Sequence, residues 1–83
     1  MNLELKDTVE GMLSEDYVER FRAEYYQLMI RYKKLEKMLI KLEAGTLDFE
    51  PACPLEVLKD QLGWMEQYRY TLEVRAEIEG ILL

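Results

Sequence analysis

Histidine is absent from this chain of 83 residues, cysteine and serine occur only as Cys53 and Ser14, and no apolar run nears the roughly 18 residues that span a bilayer. Without histidine there is no ordinary general base near neutral pH and no imidazole for a transition metal. One cysteine allows no internal disulfide, which fits a reducing compartment. One serine and no glycine-rich phosphate loop leave little for nucleophilic or phosphoryl-transfer chemistry. Glu73 and Glu77 sit one turn apart, but the glutamate-plus-histidine pattern of carboxylate metal bundles is missing. The start, MNLELKDTVEGM, has neither the basic residues nor the apolar centre of a secretory signal. The expectation is a cytoplasmic, non-catalytic protein with no cofactor, no metal site and no membrane span.

What the chain does have is charge and helix-forming residues. Seventeen acids against eleven bases leave a net charge of −6, which argues against direct nucleic-acid binding, since that binding is driven by cations displacing phosphate counterions. The charge is also segregated. Arg31, Lys33, Lys34, Lys37 and Lys41 crowd a stretch whose only acid is Glu36, whereas from Gly45 onward eight acids face three bases, Lys59, Arg69 and Arg75. A basic segment followed by an acidic one favours antiparallel packing, within a chain or between chains.

Apolar spacing predicts an all-α fold of one domain over residues 1–83. Phe21, Leu28, Leu35 and Leu42 repeat every seven residues, and Val18, Tyr25, Tyr32 and Leu39 supply the companion position. This predicts a long helix over about 15–44, capped by Ser14 and ended by Gly45. Residues 45–53 read as a loop, in which Leu47 and Phe49 are free to tuck against the helix ends. Pro54 suits the first position of a second long helix over about 54–80, with Leu55, Leu58, Leu62, Met65, Leu72 and Ala76 on its inner stripe and Gly80 at its end. Asp7 and Glu10 resemble a capping box for a short helix over about 7–13, expected to dock across an end of the antiparallel hairpin.

Each long helix has more apolar surface than one partner helix can cover. Tyr26 and Ile30 on the first and Trp64, Tyr70, Val74 and Ile78 on the second lie off the inner stripes. Burying them calls for further copies, so the expected assembly is a helical-bundle homo-oligomer with these six residues at the interface. Coverage by the N-terminal segment is the competing expectation. Polar residues beside the stripes, Gln27, Arg31 and Tyr32 on the first helix and Gln61, Tyr68 and Arg75 on the second, are the candidate ligand-binding set. Arginines grip phosphate and tyrosines stack on a base, unless these groups simply satisfy one another.

The pieces ERFRAEYYQL, CPLEVLKDQ and LEVRAEIEGI, within a match over nearly the whole chain, resemble a family of small helical proteins of phages and prophages of Gram-positive bacteria. Gly63 and Trp64 depart from the helix formers such proteins carry there, and Met29 stands where a lysine is typical. The resemblance implies a place in the cytosol of a bacterial host and contributes no catalytic residues. In that setting a protein without catalytic groups works by occupancy, and the leading expectation is sequestration of a small host signalling nucleotide of antiviral defence, in pockets between subunits. The alternatives are an inhibitor of a host defence complex that acts by protein–protein contact, as anti-CRISPR proteins do, and a structural or assembly part.

Overall fold

The computed structural model describes residues 3–83. Among them every element is helical: a 3₁₀ turn at Leu5–Thr8 running into α1 (Val9–Met12), then α2 (Tyr17–Ala44) and α3 (Leu55–Glu79). Helices α2 and α3 pack against each other, and their lengths set the long dimension of 43 Å.

Two glycines stop the long helices by the same device. Gly45 and Gly80 have φ of 77° and 70°, a left-handed conformation that a side chain disfavours. After the first, Gly45 N–H donates to Leu42 O at 3.2 Å and Thr46 N–H to Lys41 O at 2.9 Å. This crossed pair satisfies carbonyls that the helix end would leave unbonded. After the second, Ile81 N–H donates to Ala76 O at 2.8 Å, which folds Ile81 back into the core beside Ala76.

The starts differ from expectation. Asp16, not Ser14, caps α2, its carboxylate accepting from Val18 N–H at 3.2 Å. Ser14 instead shapes the preceding turn, accepting from Asp16 N–H at 3.0 Å and donating to Glu19 at 2.5 Å. The N-terminal turn begins earlier than Asp7, because the Asp7 carboxylate reaches back to Glu4 N–H at 2.9 Å. Pro54 stands just before α3 with extended ψ (145°) and not inside it. Phe49 remains exposed, while Leu47 is partly covered.

The core is thin and sits toward one end. Phe21, Leu28, Leu72, Ala76 and Ile81 form it, flanked by Val18, Tyr25 and Met65, and among the described residues Leu72 alone is wholly buried. Leu39 is the buried residue of the other half, where Leu35, Leu42, Leu55, Leu58 and Leu62 are only half-buried. Few residues are buried because a chain this short has little interior.

The N-terminal segment packs on α2 alone. Its closest approach is at Gly11, where a Cβ would lie 2.9 Å from Ala23 Cβ and 3.4 Å from Glu19 O. Both are rigid neighbours, so Gly11→Ala is expected to lift the segment off α2 at a cost of about 1–3 kcal/mol, the range typical of overpacking. Faster amide hydrogen exchange at residues 5–13, with exchange in α3 unchanged, is the result that checks it.

Candidate functional site

Three polar clusters and one bare face make up the chemistry of the hairpin. The first cluster lines the α2–α3 seam. Arg69 on α3 lies between Glu66, at 2.5 Å, and Glu73, at 3.8 Å, and its guanidinium sits over the Tyr32 ring, 5.5 Å from the centroid. Tyr25 donates to Glu73 at 2.8 Å and Tyr32 to Glu36 at 3.3 Å. Arg69 Nε is turned into the seam and has no hydrogen-bond partner.

The tyrosine hydroxyls feel these carboxylates. Burial first, then Glu73, pushes Tyr25 up to about 12. Glu66 first, then burial and Glu36, does the same to Tyr32. The Tyr32 hydroxyl first, and then Arg69, hold Glu66 below its ordinary value. Because both tyrosines hold their protons more tightly folded than unfolded, their contribution is intact below pH 10 and is lost as pH rises toward 12. In an alkaline ultraviolet titration two tyrosines are expected to ionise late, together with loss of helical circular dichroism, and Tyr25→Phe with Tyr32→Phe is expected to remove that late phase. Full tyrosine ionisation near pH 10 with the helix intact would contradict this.

The second cluster closes the end of the hairpin. Arg75 donates to the Tyr17 hydroxyl at 3.1 Å and to Glu79 at 3.4 Å, while its guanidinium lies 5.0 Å from the Phe21 ring centroid. Tyr17 donates to Glu79 at 2.6 Å. Tyr17 first, with Glu79, raises the Arg75 guanidinium still further above its ordinary value.

The third cluster surrounds a cavity of about 480 Å³ between the N-terminal segment and α2, lined by Leu3, Thr8, Gly11, Ala23 and Tyr26 together with charged groups. Asp7, Glu10 and Glu19 outnumber Arg22 there, and Arg22 is spent on Leu82 O at 2.7 Å. A cavity with that balance repels anions.

The bare face is the outer side of α3. Trp64 is 75% exposed at mid-helix, with Val57, Tyr70, Val74 and Ile78 also open. Tryptophan is seldom left so exposed on a regular helix. Open clefts flank it: one of about 440 Å³ lined by Val57, Asp60, Gln61, Trp64, Met65 and Tyr68, the other of about 410 Å³ along Lys59, Asp60, Gly63, Trp64 and Gln67.

The six residues of the candidate binding set do not meet in one place. Gln61 and Tyr68 share the cleft beside Trp64, and Arg75 continues their seven-residue spacing toward the end cluster. Tyr68 also donates to Glu24 across the seam. Tyr32 lies under Arg69. Gln27 faces the N-terminal segment, donating to the Met12 sulfur at 3.3 Å. Arg31 points to solvent. The helices cross in a register that pairs Tyr25 with Glu73 and Tyr32 with Arg69, so Gln27 and Arg31 are turned away from Gln61.

Of the six candidate interface residues, Trp64, Tyr70, Val74 and Ile78 are exposed, whereas Tyr26 and Ile30 are half-buried. The N-terminal segment covers Tyr26 but does not reach α3. Sequence reasoning passed over Arg69, although Glu66, Arg69 and Glu73 at three- and four-residue spacing, opposite tyrosines seven apart, were a usable signal.

Arg31, Lys33, Lys34, Lys37 and Lys41 are all exposed, and none pairs with a carboxylate among the described residues. Among those residues no group of three or more acids or cysteines is gathered as a metal site would need, and no helix is long and apolar enough to cross a membrane.

A protein-family model described as Sequestin matches residues 15–78. No curated protein and no solved structure matches the chain.

Proposed function

Because the chain belongs to the Sequestin family, we propose that it is a binding protein that sequesters a small anionic nucleotide on the outer face of α3, in pockets completed between copies. The family name itself points to sequestration, and so to binding in place of catalysis. The observation that carries the ligand class is Trp64, 75% exposed between two open clefts and accompanied in one of them by Gln61 and Tyr68. An indole with a phenol one cleft-width away offers a base two stacking surfaces, and a side-chain amide beside them can read a base edge. Such stacking is worth about 1–3 kcal/mol per base. In the phage setting that the sequence resemblance implies, the nucleotide is a host alarm signal of antiviral defence, and removing it from solution is the whole activity.

A panel of cyclic and ADP-ribose-type nucleotides tests this by thermal shift and calorimetry. A ligand present at about 100 times its Kd adds about 2.7 kcal/mol to stability, which raises the Tm of a domain this size by roughly 10 °C or more. If every nucleotide leaves the Tm unmoved and calorimetry is flat, the reading fails. The same exposed apolar face, bordered by Glu56, Asp60 and Glu77, supports a second reading, a basic host protein as the partner. A stoichiometric protein recovered from host lysate by the wild type and lost on Trp64→Ala would favour it over the nucleotide.

A further inference from the structure

We infer that the site is composite, with the basic stripe of α2 from a second copy seated on the Trp64 face of α3. This rests on the nucleotide reading above and goes beyond it by naming the source of the cations.

An aromatic anion needs a stacking surface and positive charge, and a single chain keeps these apart. The cleft that holds Trp64, Gln61 and Tyr68 contains Asp60 and no cation. Neighbouring cations on α3 are already engaged: Lys59 with Glu43 at 2.5 Å, Arg69 inside the seam, and Arg75 in the end cluster. Among the described residues the lysines that pair with no carboxylate stand on α2. Lys34, Lys37 and Lys41 continue from Ile30 at spacings of four, three and four, so they form one stripe on the side of α2 away from Leu28, Leu35 and Leu39, and therefore away from α3. An anion bound to the α3 face of a lone chain of net charge −6 would meet almost no compensating charge.

A second copy resolves both deficits at once. On the outer face of α3, Val57, Trp64, Thr71 and Ile78 repeat every seven residues, and Gln61, Tyr68 and Arg75, four residues after the first three, border that face on the side where Tyr68 reaches Glu24 and Arg75 reaches Tyr17 of α2. That alternation of four and three is the seam on which another helix lies, and the α2 stripe has the same alternation. Lysines of the second copy then face Glu56 and Asp60 while their ammonium groups reach the phosphates of a nucleotide whose base stacks on Trp64. Gly63 leaves open space in the neighbouring cleft, with nothing within 4 Å of where a Cβ would stand, so an approaching backbone meets no obstruction. The stripe and the face lie on opposite edges of the hairpin. The contact is therefore head-to-tail, the type that closes into a ring when its rotation permits.

Mixing tests the shared site. Trp64→Ala and the double variant Lys34→Glu/Lys37→Glu are each expected to lose at least about fivefold in affinity for a nucleotide that the wild type binds. Unfolded and refolded together in equal amounts, they are expected to recover about a quarter of the wild-type binding capacity, because that fraction of random contacts joins an intact face to an intact stripe. Recovery supports the composite site, and mixing that restores nothing overturns it.

Self-association, followed by sedimentation without ligand, tests the packing independently. The wild type is expected to assemble, more weakly at high salt, and both variants to dissociate at concentrations where it remains assembled. A wild type that sediments as a monomer and still binds nucleotide overturns the inference but leaves the proposed function standing. Assembly that depends on Trp64 and Lys34 in a protein that binds no nucleotide does the reverse.

Discussion

Leu72→Ala is expected to remove about 3–5 kcal/mol of stability, enough to leave little of the fold at 37 °C. Among the described residues Leu72 is the one side chain with no exposure at all, and it meets Phe21, Leu28 and Ile81 where α2, α3 and the C-terminal turn converge. Truncation there leaves a cavity whose walls are themselves held by the helix crossing and cannot easily collapse. A domain of this length has roughly 4–12 kcal/mol in total, and a core with so few buried residues places it toward the lower end. At about 4–8 °C per kcal/mol, the Tm should fall by at least 12 °C. Leu62→Ala, at a half-buried position on the same stripe, is expected to cost about a third as much. Leu72→Met, close in volume, should retain most of the stability. Equal losses at 62 and 72 by thermal melting would mean that the core is not concentrated where the burial places it.

Trp64→Ala is expected to do the opposite: leave the single chain as stable as before, within about 0.5 kcal/mol, and lower nucleotide affinity by roughly 5- to 150-fold. The indole is 75% exposed and contributes nothing to the buried cluster, while alanine is the better helix former at an exposed position. Trp64→Tyr, which keeps a stacking ring, should keep most of the affinity. Calorimetric titration against melting temperature separates the two effects. A large drop in Tm without ligand, under dilution that excludes assembly, would show that Trp64 serves the fold.

These two residues also mark what spacing along the chain can and cannot reveal. Leu72 was legible as a member of an inner stripe, and the ends at Gly45 and Gly80 were legible because glycine readily takes the left-handed conformation that commonly ends a helix. Surplus apolar surface on α3 was legible too, since Tyr70, Val74 and Ile78 lie about 120° or more round a helix from both Leu72 and Ala76. What remained hidden depends on quantities that one-dimensional spacing does not contain. The rotation of α2 against α3 decides that Arg69 lies over Tyr32 and that Gln27 and Arg31 point elsewhere. Which helix the N-terminal segment would cover was equally invisible, because a 3₁₀ turn followed by four helical residues has too little periodicity to announce a face. It covers Tyr26 on α2, and α3 is left open as a consequence.

The proposed nucleotide site lies on that open face, which one chain cannot charge-compensate, and native mass spectrometry of the protein with a bound nucleotide tests the proposal most directly. Species at whole multiples of the 10.0 kDa chain, with nucleotide carried by the assembled forms and absent from the single chain, are the result expected. Nucleotide bound at full stoichiometry to the isolated 10.0 kDa chain would contradict it.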